Sequence, residues 1–211
     1  MPGLCRDCGA DKERYAKVDG PEDDADDGCV LQLVDEYAGG MVEEPSYDLS
    51  GELPPDFQGC SLPGLTVLTE VAQRKLDMEG RTTEGPWRLW WQYCDSEVVG
   101  PQDETEDGDS SGDDLDETSA ETCSYVLVHQ DDDGHTVEVV RMRGEDEHVM
   151  YQATVPELGQ ASSQDTETLE GLEGLLERVA RQVHDAVGCE VQGEWTVNWS
   201  RCHVRLSDSD Y

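Results

Sequence analysis

The chain has 211 residues, 50 of them Asp or Glu against 14 Lys or Arg, giving a formal net charge of -36 and a pI near 4.1. This length suits one domain with appended segments; no run approaches the roughly 18 apolar residues of a membrane span, and MPGLCRDCGADKERYAK at the start lacks the apolar core of a secretory signal. So one-sided a charge repels itself in dilute buffer, whereas at molar salt the Debye length falls to about 3 Å and the same surface becomes tolerable.

Lys12, Lys17 and Lys75 are the only lysines, isoleucine is missing, and Phe57 is the single phenylalanine. Acidic residues are spread along the whole chain. This composition resembles the cytoplasmic proteins of salt-in halophilic archaea, a resemblance of composition that identifies no family. It implies a cytoplasmic location, in which the eight cysteines are thiols or metal ligands and not a disulfide framework.

Residues 1–62 are rich in Asp, Glu, Gly and Pro and contain one short apolar run, Cys29 to Val34, that reads as an edge strand or a docking segment. The remainder has too little apolar surface to offset the entropy of ordering and reads as an irregular acidic arm. Within it, Cys5-Arg6-Asp7-Cys8-Gly9 has the C-x-x-C spacing that lets two thiolates share a tetrahedral zinc, and resembles the first knuckle of a zinc ribbon. The second pair of such a ribbon is missing; Cys29 and Cys60 are the candidates to complete a four-ligand site, against the alternative of a cysteine pair that holds no metal.

Residues 63–206 read as an α+β domain. Leu65, Leu68, Val71, Ala72 and Leu76 recur at helical spacing and predict a helix from Leu65 to Glu79, stopped by Gly80. In PWRLWWQYC, Trp87, Leu89, Trp91 and Tyr93 alternate with Arg88, Trp90, Gln92 and Cys94, the period of a half-buried strand. Most of the five tryptophans belong to the core, and Trp90, on the opposite face from Trp87 and Trp91, is the candidate for a contact surface or for the underside of a packed helix. Residues 101–122 carry ten acidic side chains and no basic one and are expected to form a disordered loop.

Tyr125 to Val128 and Val137 to Met142 flank an Asp-Gly turn, and Val149 to Val155 alternates again, so with the tryptophan strand these runs predict a four-strand meander. Leu169, Leu172, Leu176, Val179, Val183 and Val187 share one helical face, with Asp165 or Thr166 as cap and Gly188 as stop. The last segment, Val191 to Leu206, is strand-like with a phase change near Ser200 that implies a bulge or a turn. Residues 207–211 are a tail. No internal repeat is evident at a fixed period.

The acidic segments fail the EF-hand register, because a loop opening at Asp107 meets Thr118 where the bidentate glutamate must stand. Cys94 and Cys123 flank the acidic loop and would be either a redox or metal clip or two buried thiols. His129, His135 and His148 would make an enzyme site only if adjacent strands brought them together. The expected architecture is an antiparallel meander sheet of about five strands with two helices on one face and an irregular N-terminal arm. The expected function is a small non-enzymatic interaction or regulatory protein that meets a protein partner through the N-terminal arm and its cysteine pair, neither binding nucleic acid directly nor associating with membrane; the alternatives are an acidic nucleic-acid mimic and an enzyme using the sheet histidines. Transfer from molar salt to dilute buffer should abolish the near-UV circular dichroism of the aromatic core, and a signal unchanged across that range would contradict the screening argument.

Overall fold

Helix α1 (Leu62–Met78) forms where Leu65, Leu68, Ala72 and Leu76 repeat at three and four residues, and all four are buried. The computed structural model describes residues 3–4, 11–20, 29–37, 40–100, 124–131, 134–143, 146–155 and 165–207; the expected disordered loop, Cys5, Cys8 and Cys123 lie outside them. Helix α2 (Leu169–Val187) buries Leu172, Leu175, Leu176, Val179 and Val183, and Gly188 closes it in the left-handed conformation. Its cap is Thr168, not Asp165 or Thr166.

The fold is α+β, but the sheet has nine strands and not about five. These are β1 (Gly3–Leu4), β2 (Asp11–Asp19), β3 (Val30–Tyr37), β4 (Gly40–Asp48), β5 (Thr83–Val99), β6 (Ser124–Asp131), β7 (Gly134–Arg143), β8 (Asp146–Val155) and β9 (Glu190–Leu206). Their order is β4-β3-β2-β9-β5-β6-β7-β8, with β1 beside β2, and every pairing is antiparallel. Strands β5 to β8 lie side by side in chain order as expected, but the sheet is not a simple meander, because β9 returns to lie between β2 and β5. The N-terminal arm is corrected: β2, β3 and β4 form one flank of the sheet.

Burial explains the correction. Ala16, Val18, Leu31 and Leu33 face the helices and join one core with Leu89, Trp91, Val126, Val128, Val137, Val197 and Cys202. In the same phase Arg14 and Asp35 are paired and buried, so charged letters that read as solvated loop neutralise each other inside the sheet. Pro45 is tolerated because β4 is an edge strand, where its missing N–H breaks no ladder.

The absence of a repeat is also corrected. Three strands, a helix and a long strand occur twice, β2-β3-β4-α1-β5 and β6-β7-β8-α2-β9, and the registers interchange when the two halves are exchanged. Arg88 pairs with His203 and Asp95 with Thr196; Leu89 with Cys202 and Cys94 with Val197; Trp90 with Arg201 and Tyr93 with Asn198. Trp91 pairs with Trp199 and is its own counterpart, so a pseudo-two-fold axis passes through that pair. The bulges expected near Ser200 are equivalent as well, one at Gln92 and one at Ser200.

Local chemistry repeats along with register. Gly85 and Gly193 both adopt positive φ, at 82° and 81°, and each is followed by W-x-[LV]-x-W-x-x-C: Trp87 to Cys94, Trp195 to Cys202. Ser61 caps α1 by accepting from the Gly64 N–H, and Thr168 caps α2 by accepting from the Gly171 N–H. Gly64 packs too closely for any side chain, since a Cβ would stand 1.8 Å from the Gln58 oxygen. Gly64 and Gly171, which lower helix propensity, therefore belong to the capping turns.

The halves interlock. The Trp91 Nε1–H donates to the Thr166 carbonyl at 2.9 Å and the Trp199 Nε1–H donates to the Gly59 carbonyl at 2.9 Å; each acceptor lies two residues before the cap of the other half's helix. Ser61 bridges Thr196 and Thr168 bridges Arg88 in the same reciprocal way. Trp91→Phe and Trp199→Phe each leave a buried carbonyl without its donor and should each cost about 1–3 kcal/mol. Urea unfolding in molar KCl checks this, and the two losses should be similar because the two bonds are equivalent.

Candidate functional site

With both helices on one face, the alternation of β2, β9 and β5 turns a second set of side chains to the uncovered face. The registers arrange them in three rows: Asp19, Arg201 and Trp90; Lys17, His203 and Arg88; Tyr15, Arg205 and Glu84. Arg201 lies over the Trp90 ring, 5.1 Å from its centroid, and its Nε donates to Asp19 Oδ1 at 3.0 Å. The His203 ring is edge-on to Trp90 at 5.3 Å and to Tyr15 at 6.2 Å. Lys17 Nζ donates to Asp19 Oδ2 at 2.8 Å, the Tyr15 hydroxyl donates to Met41 Sδ at 3.6 Å, and Arg88 pairs with Glu167 in the turn before α2.

A cavity of about 650 Å³ opens here, lined by Arg14, Tyr15, Met41, Arg88, Trp90, Arg201, His203 and Arg205 together with Glu13, Glu36 and Glu84. That volume is within the range of small-molecule sites. Trp90 is 50% exposed, on the face expected from its alternation with Trp87 and Trp91. Arg205 is loosely held, half-exposed with Glu13 Oε1 at 3.8 Å.

Burial, then the charges of Arg201 and Arg88, push the His203 imidazole below its ordinary value, with Glu167 opposing in part. Its Nδ1 has no hydrogen-bond partner among the described residues. Burial opposes ionisation of Asp19 as well, but hydrogen bonds from Lys17 and Arg201 prevail and hold its carboxyl below the usual range. Burial and then Glu36 raise the Tyr15 phenol. The site is therefore a neutral imidazole between two aromatic rings, ringed by permanent guanidinium charges.

The pseudo-two-fold gives this site an internal control. The equivalent rows on β6, β5 and β9 are His129, Tyr93 and Asn198; Leu127, Asp95 and Thr196; Tyr125, Glu97 and Gln192. No Lys or Arg is among them. Tyr125 is matched to Tyr15 and donates to Glu147, but Asn198 stands for Trp90, Asp95 for His203 and Glu97 for Arg205. The same backbone frame carries either set, so the fold does not require the basic and aromatic residues around the cavity.

The residues singled out from sequence are placed differently. His129 lies on the uncovered face, tilted against Tyr93, whereas His135 is buried on the helix side and stacks on Trp91 at 5.6 Å. His148, opposite Arg141, is exposed seven residues along β8 from Val155, the partner of His135, roughly 20 Å away at the usual strand rise. The three histidines do not converge. Cys29 enters β3 with its thiol pushed up by burial, and Cys60 is exposed just before the α1 cap, its carbonyl accepting from the Val197 N–H at 2.6 Å. Among the described residues no three His, Cys, Asp or Glu side chains gather to hold a metal. Cys94 and Cys202 occupy equivalent buried positions; burial, reinforced by Asp95, pushes the Cys94 thiol far up, and burial alone pushes that of Cys202 to about 12. Both are inert as nucleophiles.

Comparison with known proteins finds nothing that matches: no family model, no curated protein and no solved structure. Among the described residues no helix is long and apolar enough to cross a membrane. Titration of His203 by NMR should give a midpoint below the ordinary 6.5 or so, and Trp90→Asn, which admits water to the ring, should raise it. Since the folded value is the lower one, acid favours the unfolded chain, and the contribution of this neutral ring to stability is lost as pH falls below about 6.5. A midpoint at or above the ordinary value would contradict the packing.

Proposed function

We propose that the chain is a non-enzymatic binding protein of a high-salt cytoplasm, and that its binding surface is the cavity around Trp90 on the uncovered face of the sheet. One observation carries the reading: two equivalent positions on one frame bear opposite chemistry, and only one has an exposed tryptophan with arginines and a histidine about it. Arginine is scarce in this chain, and Arg88, Arg201 and Arg205 gather at one cavity on positions where the second half carries Thr196, Tyr93 and Glu97, so their presence there calls for a reason other than folding. The high-salt setting is supported by the net charge of -36.

A nucleic-acid mimic would need paired rows of carboxylates on a rigid surface, and the centre of the uncovered face carries Arg88, Trp90, Arg201, His203 and Arg205 instead. Catalysis by the sheet histidines finds no support in a set divided between two faces. A zinc site built on Cys5, Cys8, Cys29 and Cys60 is a separate proposal, and metal analysis with Cys5 and Cys8 replaced by serine tests it.

The binding reading is tested by mapping amide and indole shifts while a panel of small fragments is added in molar KCl. Shifts should concentrate on Tyr15, Arg88, Trp90, Arg201, His203 and Arg205. Fragments that prefer the equivalent rows around Tyr93 and Asn198, or that scatter over the helices, would overturn it.

A further inference from the structure

Resting on that reading, we infer that the Trp90 cavity takes a small molecule with a flat ring that bears an oxyanion group, a carboxylate or a phosphate. Ring and charge are recognised by adjacent parts of the same three rows. Trp90 is half-exposed with Arg201 stacked over it, and His203 stands edge-on beside it, so a planar ring entering here completes an aromatic cluster that already has one open side. His203 is neutral and adds no competing charge at that point.

The charge is read by Arg88 and Arg205. Arg88 is opposite His203 across the β5–β9 pairing, and Arg205 follows His203 by two residues on the same face of β9, so both flank the imidazole. Their side chains are 41% and 49% exposed, and a guanidinium has five donors in a fixed fork that matches the two oxygens of a carboxylate or phosphate. Arg88 spends Nη1 on Glu167, and the ion pair of Arg205 among the described residues is the distant one to Glu13. Glu13, Glu36 and Glu84 also line the cavity, with Glu84 opposite Arg205, so an oxyanion is drawn to the guanidinium donors of Arg88 and Arg205 that these carboxylates leave open.

The equivalent rows again supply the contrast. Thr196 stands where Arg88 does and Glu97 where Arg205 does, and in that setting an oxyanion would meet a carboxylate. Trp90→Asn and Arg205→Glu import the residues that the second half carries at the equivalent positions, but a glutamate at 205 would face Glu84 and Glu13 where Glu97 faces Gln192, so Arg205→Gln, which adds no new charge, serves as the second variant.

The test is titration in molar KCl, followed by the Trp90 indole resonance. Benzoate and AMP present ring with oxyanion; benzamide and adenosine present the ring alone; inorganic phosphate presents the anion alone; benzamidine presents the ring with a cation. Benzoate or AMP should bind at least about tenfold more tightly than the others, and phenyl phosphate, which shares the ring of benzoate, separates phosphate from carboxylate. Trp90→Asn and both Arg205 variants should weaken that binding by about tenfold or more, with the thermal midpoint unchanged in Arg205→Gln. Benzamidine or the neutral rings binding as tightly as the anions, or Arg205→Gln leaving affinity unchanged, would overturn the inference and leave the cavity as a binding site. No shift of Trp90 with any probe at millimolar concentration would overturn both.

Discussion

The pairing of Trp91 with Trp199 is the contact on which the rest of this structure depends. It lies on the pseudo-two-fold axis, and from it each indole reaches across to a carbonyl just ahead of the other half's helix. A buried indole N–H that fails to find an acceptor is costly, so each half positions the helix of the other. The first strand of each half also pairs with the last strand of the other, β2 with β9 and β6 with β5. Neither half can complete its core alone.

This interlock places both helices on one face and leaves the other without cover. On the helix side the two halves agree closely: Leu65 with Leu172, Leu68 with Leu175, Cys94 with Cys202, Val18 with Val128, all buried. On the uncovered side they disagree, Trp90 against Asn198 and Arg205 against Glu97. Packing constrains the first set because interiors are close-packed and feel each methylene. Nothing in the frame constrains the second, and it is there that the two halves have acquired different chemistry.

The surplus of acid acts on a different level. The chain has fifty acidic residues, and the charges set into its sheet are neutralised locally, the buried Arg14 by Asp35 within the helix-facing layer and the exposed Asp19 by Lys17 and Arg201 on the other face. The buried pair is weakened less by salt than the exposed one, because little water stands between its partners. The basic residues at the cavity are compatible with the proposed high-salt setting, since charge recognition there would rely on contact and geometry and not on long-range attraction.

Local periodicity determined what the sequence could determine by itself. The two helices, the tryptophan strand, the hairpin of β6 and β7, the bulge near Ser200 and the outward Trp90 all follow from apolar spacing and turn chemistry, which act over a few residues. Strands β2 and β4 were illegible because their apolar positions are few and their charges read as solvent-facing; only β3 and β9 beside β2 reveal that Arg14 and Asp35 are buried together. The duplication was illegible for a related reason: its matches are sparse, half a chain apart, and confined to caps, glycines and core aromatics, while the intervening letters differ. The cavity joins Tyr15, Arg88, His203 and Arg205 from three strands, and no spacing along one strand announces it. Neighbours within a strand or helix are fixed by the chain, whereas neighbours across a sheet are fixed by register, and register comes from a core that exists only once both halves have closed upon each other.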